Sequence, residues 1–187
     1  IVDGEGSRRP QEATIARLQR DDSTKEDVLE QFATMTLGSG GAAMVLGKAS
    51  VHGGHRFRGG VSRAATQHKQ LCMGDLDFMR TDSRGLLEAG VALARDAWDD
   101  AQSQFSWSDL DTYILHQVSK VHNAALIAAL GIDPAKVPTT FPLHGNIGPA
   151  SVPFTLAQSV DELSSGDRIA CMGIGSGLNA AVIEIDW

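Results

Sequence analysis

The strongest constraint on the fold is a change of hydrophobic period in the second half of the chain. From Ser83, apolar or small residues at Leu86, Leu87, Gly90, Val91, Ala94, Ala97 and Trp98 recur near every 3.6 positions, the spacing of a helix with one buried face. Thr112–Leu115 is instead a short apolar strand, ending at His116. Ser119 then caps a helix through Leu130, closed by Gly131 and followed by Pro134. Pro149 suits the first turn of a further helix, with Val152, Leu156, Val160 and Leu163 as its buried stripe. Arg168–Met172 and Leu178–Ile185 read as two strands joined by the hairpin-like turn Gly173-Ile174-Gly175-Ser176-Gly177. Strands alternating with helices predict an α/β architecture around a mostly buried sheet.

The first half is less regular. Ile1-Val2-Asp3 reads as the tail of a buried strand, and Pro10 opens a short helix through Leu18. Ser23 and Glu26 have capping-box spacing ahead of a helix with Val28, Leu29 and Phe32 on its apolar side. Thr34–Lys48, broken by Gly38-Ser39-Gly40-Gly41, reads as strand, tight turn, strand. Arg56–Ala65 is another strand, and Thr66–Asp82 is a loop without periodicity, long enough to wall or lid a site. The one soft boundary lies at Ala49–Gly54, where His and Gly cluster.

Bulk properties exclude several functions. A net charge of -7 over 187 residues argues against a nucleic-acid binder, which needs a basic face. The longest apolar runs, such as Ala124–Leu130, fall far short of a membrane span. The start at Ile1 has no Met and no basic leader, so a processed, cleaved or truncated chain is expected. Cys72 and Cys171 form neither a disulfide framework nor a metal pattern, and free thiols suit a reducing, cytoplasmic setting. His52, His55 and His68 lack metal spacing, so no metal is expected.

Three polar features fall at element ends, where α/β proteins place their sites: His116, Asn146, and the turn Gly175-Ser176-Gly177. Each alone has an ordinary reading. A lone His after a strand is more often structural than catalytic, and Asn or Gly in a turn usually serves the turn. Together they are more informative. A His and an Asn can both donate to one developing oxyanion, glycines beside Asn146 let backbone approach a substrate, and a Gly-Ser-Gly turn can present a bare N–H.

The order and spacing of these features carry a resemblance. Tyr113-Ile114-Leu115-His116-Gln117, Gly145-Asn146-Ile147-Gly148-Pro149-Ala150-Ser151-Val152-Pro153, and Gly166-Asp167-Arg168 leading into Gly173–Leu178 resemble the C-terminal half of the β-ketoacyl-acyl-carrier-protein synthase III branch of the thiolase superfamily. The likeness includes the 30-residue step from His116 to Asn146. Leu37-Gly38-Ser39-Gly40-Gly41-Ala42 resembles the last strand-turn of that family's N-terminal half. Within the branch, His116-Gln117-Val118-Ser119-Lys120-Val121-His122, Thr140-Phe141-Pro142 and Cys171-Met172-Gly173 look most like the acyl-CoA condensing thiolases of bacterial olefin synthesis (the OleA type). Fatty-acid synthase III enzymes usually carry Asn where this chain has Ser119.

The resemblance implies a thiolase-like fold of αβαβα layers. Residues 1–48 are then the final segment of the N-terminal half, and residues 49–187 the C-terminal half. It implies that His116 and Asn146 bind a thioester enolate oxygen, and that the Ser176 amide, in the oxyanion turn Gly175–Gly177, helps hold the acyl-enzyme oxyanion. Acyl-CoA is then the substrate, no cofactor is needed, and thiolase units pair as dimers. The nucleophilic Cys lies upstream of the segment matching Ile1–Glu5, so a companion chain or segment is expected to supply it. The α-proton base is a Glu from the partner subunit's N-terminal half. Cys171 is read as buried and inert, and Cys72 as lacking a helix N-terminus or basic neighbours to activate it. Leu71, Met73, Phe78 and Met79 suit an acyl channel or equally a subunit interface. His122 and His144 could line the site or be structural, and Arg56, Arg58 and Arg63 suit a solvated sheet edge better than coenzyme A phosphates. Two other functions stay open: a decarboxylating synthase III using malonyl-carrier protein, and a non-catalytic chain-length-factor-like subunit.

Overall fold

The computed structural model describes residues 1–187. In chain order the elements are β1 (Val2–Glu5), α1 (Arg8–Leu18), α2 (Lys25–Met35), β2 (Gly40–Ala43), α3 (Ala49–His52), β3 (Arg56–Ala64), β4 (Cys72–Gly74), β5 (Met79–Thr81), α4 (Ser83–Ala101), β6 (Thr112–Leu115), α5 (Lys120–Leu130), α6 (Phe141–His144), α7 (Ser151–Gln158), β7 (Arg168–Gly175) and β8 (Asn179–Asp186). The main sheet has four strands in the order β3-β8-β7-β6. Only the β6–β7 pair is parallel. β1 pairs with β2, and β4 with β5, in separate two-stranded ribbons.

Both faces of the central strands are covered, which is why β6 and β7 read as continuous apolar runs. Tyr113, Leu115, Ala170, Met172 and Val182 point to one side and pack with Trp98, Trp107, Leu110, Ile132 and Val137. Ile114, Ile169, Cys171 and Ile185 point to the other and pack with Leu156 of α7. α4 lies against β3, β8 and α5 through Gly90, Leu93, Ala94, Ala97, Trp98 and Ala101. α5 starts on the Ser119 hydroxyl, which accepts the His122 N–H, and stops on Gly131 at φ 67°. The expected helices at Ser83 and Ser119, the strand Thr112–Leu115 and the final hairpin are therefore all present.

Several expectations are corrected. The strand at Ile1–Asp3 is not buried: Ile1 and Val2 are 76% and 84% exposed, because β1 pairs only with β2. α1 begins at Arg8, ahead of Pro10. The capping box of α2 is Thr24–Asp27, one residue beyond Ser23–Glu26, and the Ser23 hydroxyl instead donates to the Arg17 carbonyl at 2.8 Å. Val28, Leu29 and Phe32 face outward, whereas Gln31 and Thr34 are the buried residues of α2. Thr34–Lys48 is no hairpin: α2 runs on to Met35, and the strand β2 pairs with β1. Thr66–Asp82 is ordered as a 3-10 turn, Thr66–Leu71, and the β4–β5 ribbon, whose turn is tied by the Asp75 carboxylate accepting from the Asp77 and Phe78 N–H groups. α7 ends at Gln158, which leaves Val160 outside its buried stripe and exposed.

One buried charge stands out at the start of β7. Glu184 is 1% exposed; it accepts from Arg168 Nε at 2.9 Å and from Trp107 Nε1 at 2.9 Å. Both carboxylate oxygens are used, which is the condition under which a buried carboxylate is tolerated. Glu184→Ala strands the Arg168 guanidinium and the Trp107 N–H, and is expected to lower unfolding free energy by about 3 kcal/mol. Urea titration checks this, and a loss under ~0.5 kcal/mol, the range of ordinary surface changes, contradicts it.

Candidate active site

Because β6 and β7 run parallel, their C-terminal ends lie at the same end of the sheet. His116 is the first residue past β6, and its N–H donates to the Met172 carbonyl at 2.8 Å. β7 continues beyond that point into the turn at Ser176 and Gly177. Gly177 and Leu178 take φ of 76° and 51°, and the Asn179 side-chain amide donates to the Ser176 carbonyl at 3.1 Å. Ser176 is exposed at the tip, while Leu178 is buried and anchors the turn.

The His116 ring is held from one side. Its Nδ1 lies 2.6 Å from Ser151 Oγ, and the same oxygen accepts the Gln117 N–H at 3.3 Å. With the Ser151 O–H donating to Nδ1, Nε2 is the nitrogen that carries hydrogen; with Nδ1–H donating to Ser151 Oγ, Nε2 is a bare acceptor. Burial pushes the His116 pKa down to about 4, and nearby His122 adds to the effect. The ring is thus a neutral imidazole, bonded to Ser151 through Nδ1.

Asn146 is held just as firmly. Its N–H donates to the Thr36 carbonyl at 3.0 Å, and its carbonyl accepts the Gly38 N–H at 2.8 Å, forming a single parallel bridge to Leu37. Two glycines permit this close approach. A Cβ on Gly38 collides with the His144 carbonyl, and one on Gly145, at φ 68°, comes within 2.8 Å of the Thr36 carbonyl. Asn146 Oδ1 accepts the Gly148 N–H at 3.0 Å, which turns the amide so that Nδ2 is the free donor. Asn146 and His116 therefore lean on one stretch of chain, the 3-10 turn Gly148–Ala150 and the first residue of α7. Ile147 and Ala150, both buried, fix that stretch.

Two residues at the site were not singled out by sequence reasoning. Ser151 orients His116; its only sequence signal is a small polar residue in an apolar helix. Glu5 sits over Gly148, so close that a Cβ there meets its carboxylate at 2.8 Å. Burial and then the Asp3 charge raise the Glu5 pKa.

The other candidates lie as follows. His122 Nδ1 is 2.9 Å from Ser119 Oγ, and its Nε2 is buried without a partner. His144 meets Phe154 edge-on at 4.9 Å. Cys171 is inside β7, where burial pushes its thiol up to about 12. Cys72 Sγ lies 3.6 Å from Thr81 Oγ1. Leu71 ends the 3-10 turn before β4, and Met73, Phe78 and Met79 belong to the β4–β5 hairpin; β5 packs on α2, and Arg17 stacks over Phe78 at 5.0 Å. Arg58 pairs with Asp186 at 3.3 Å, and Arg63 pairs with Asp100. No helix is long and apolar enough to cross a membrane.

Comparison with known proteins gives the chain's relatives. Residues 101–187 match the family 3-Oxoacyl-[acyl-carrier-protein (ACP)] synthase III C terminal. Over its whole length the chain is 45% identical to an acyl-CoA:acyl-CoA alkyltransferase of Xanthomonas campestris and 35% identical to one of Shewanella oneidensis, covering 57% and 58% of those proteins. A β-ketoacyl-[acyl-carrier-protein] synthase III of Synechocystis is 31% identical over 65% of this chain and 38% of that protein. The structure superposes on OleA of Xanthomonas campestris, solved with bound lauric acid and lauroyl-CoA, with a TM-score of 0.96 at 44% identity, covering all of this chain and 57% of that one. The chain thus spans under two thirds of the length of these relatives. It has the thiolase-like fold and belongs to the β-ketoacyl-acyl-carrier-protein synthase III branch of the thiolase superfamily, with residues 101–187 forming that family's C-terminal domain.

Proposed function

We propose that this chain is the His- and Asn-bearing part of a condensing enzyme that joins two fatty acyl-CoA molecules into a β-ketoacyl-CoA, by a Claisen reaction without decarboxylation. The observation that carries the reading is that the bonds at His116 Nδ1 and Asn146 Oδ1 engage the other ends of these groups, so that His116 Nε2, in its protonated tautomer, and Asn146 Nδ2 can donate from a shared support. Full-length similarity to acyl-CoA:acyl-CoA alkyltransferases supports the choice of substrate.

In this reading a cysteine thiolate attacks the first acyl-CoA, coenzyme A leaves as a thiol, and the acyl group becomes a cysteine thioester. A carboxylate base takes an α-proton from the second acyl-CoA. His116 and Asn146 donate to the enolate oxygen that results. The enolate carbon attacks the cysteine thioester, a carbon–carbon bond forms, and the cysteine thiolate departs. The Ser176 N–H, in the turn Gly175–Gly177, serves the oxyanion of the acyl-enzyme. Donors already in place need no reorganisation as charge builds, and this is commonly the largest single contribution to such rates.

Neither cysteine of the chain is the nucleophile in this reading. Burial of Cys171 disfavours its thiolate, and Cys72 faces Thr81. The nucleophile comes from a companion segment or chain carrying the rest of the N-terminal half, to which residues 1–48 belong, and the base from the N-terminal half of the partner subunit, while residues 49–187 form the C-terminal half. Outward-facing Leu29 and Phe32, 61% and 59% exposed, and Val45, 98% exposed, suit burial against that companion. Pairing of two such units, a cytoplasmic setting and an acyl channel along Leu71, Met73, Phe78 and Met79 complete the proposal.

The complete enzyme, incubated with long-chain acyl-CoA alone, is expected to release thiol and form a β-keto product. A strict requirement for malonyl groups instead selects the decarboxylating alternative. His116→Ala and Asn146→Ala are each expected to lower kcat about 100- to 1,000-fold. Unchanged condensation in both marks the chain as a non-catalytic, channel-shaping subunit. Cys72→Ser and Cys171→Ser keep their activity, and mass spectrometry of the trapped acyl-enzyme locates the acyl group outside this chain; acylation at either residue overturns that part.

The neutral state of His116 also sets a pH dependence. Its pKa is about 4 in the fold against 6.5 for a free ring, so between these values the unfolded chain binds a proton that the native ring refuses. Stability is therefore full above about pH 6.5 and falls by about 3 kcal/mol as pH drops towards 4, with His122 adding in the same direction. Denaturant midpoints between pH 7 and 4.5 read this out, and His116→Asn is expected to flatten the curve. An undiminished slope in that variant assigns the effect elsewhere.

A further inference from the structure

Behind His116 and Asn146 runs a linked set of polar side chains, most of them buried. Gln117 is wholly buried, and both ends of its amide are used. Its Nε2 donates to the Leu115 carbonyl at 2.9 Å and reaches the Pro138 carbonyl at 3.5 Å. Its Oε1 accepts from the Thr140 N–H at 3.0 Å and the Phe141 N–H at 3.4 Å. Those two residues begin α6, and their carbonyls accept from His144 at 3.1 Å and Gly145 at 2.9 Å, which delivers the chain to Asn146. Thr140 Oγ1 lies 2.8 Å from Thr155 Oγ1. Thr155 follows Ser151 by one helical turn on the same face of α7, and both are 0% exposed. Ser151 returns the circuit to His116.

The chemistry of these residues argues for a purpose beyond filling space. A buried amide or hydroxyl stabilises less than an apolar side chain of equal volume unless every polar atom is paired. Here pairing is complete for Gln117 and links two segments that sequence places far apart. Hydrogen bonds fix distance and angle, which apolar packing does only loosely. One end of the circuit holds the His116 ring, and the other holds the segment that carries Asn146. Two donors that share one oxygen need their separation held to within about 0.5 Å.

We propose that Gln117 and Thr155 are positioning residues that set the spacing between the His116 and Asn146 donors. The inference rests on the reading of His116 and Asn146 as an oxyanion pair.

In the complete condensing enzyme, Gln117→Met keeps the side-chain length and loses every hydrogen bond. It is expected to lower kcat about 10- to 100-fold, the scale of a misplacement near 1 Å, while KM for acyl-CoA changes less than about threefold. Thr155→Val, close in shape to Thr, is expected to lower kcat in the same manner, and Thr155→Ser, which keeps the hydroxyl, to restore it. In an Asn146→Ala background the spacing no longer matters, so Gln117→Met should cost less than about twofold more. A merely structural residue costs as much in that background as in the parent. If Gln117→Met does not fold, the Thr155 pair and its combination with Asn146→Ala decide alone. Equal rates for Thr155→Val and Thr155→Ser, or losses that multiply with Asn146→Ala, overturn the proposal. Full activity of Asn146→Ala itself identifies the oxyanion reading as the failure, and the proposal falls with it.

Discussion

The parallel pairing of β6 with β7 governs where the candidate site forms. Leu115 aligns with Met172, and the next residue, His116, keeps its backbone bond to the Met172 carbonyl, so the ring leaves the sheet at a fixed height. The pairing survives because both faces are buried, by the Trp98–Trp107 cluster on one side and by Leu156 of α7 on the other. α7 thus has two tasks. Leu156 closes the core, and Ser151, at the first position of the helix, contacts the imidazole. Core packing and ring orientation are set by the same helix, so a shift in one cannot spare the other.

Burial decides the electrostatics in the same stroke. A ring as enclosed as His116 is poor at holding charge, which makes it a weak proton carrier and a steady hydrogen-bond donor. Asn146 has no charge to lose and reaches the same end by a bond from Gly148 that turns its Nδ2 outward. In the proposed reaction, two neutral donors beside buried groups attract an anionic oxygen more strongly than they would in water.

Legibility in the sequence tracks how local the deciding interaction is. α4, α5 and the β7–β8 hairpin were readable because period, cap and turn glycine all agree within one segment. α2 was readable as a helix but not in its orientation: its apolar residues Leu29 and Phe32 face outward, and burial falls on Gln31 and Thr34. The β4–β5 ribbon was hidden because three-residue strands carry no period. In the site, His116 and Asn146 could be found because they end elements and are flanked by recognisable punctuation. Ser151, Thr155 and Gln117 could not, since each is an unexceptional polar residue whose contacts appear only when chain segments 15 to 35 residues apart meet.

The buried polar groups at the start of β7 are paired, whereas four buried polar atoms elsewhere in the fold are not. At the start of β7, Arg168 is tied to Asp111 by backbone and side-chain bonds and to Glu184 by an ion pair, and Trp107 takes the remaining carboxylate oxygen. The buried polar atoms left without partners are Asp3 Oδ2, Thr34 Oγ1, His122 Nε2 and Asn123 Nδ2. They lie on β1, α2 and α5, elements that lead into the Leu37–Asn146 bridge, the Glu5–Gly148 contact or the His116 strand end. Unpaired buried groups cost of order 1–3 kcal/mol each, so a fold keeps them where something else repays the loss.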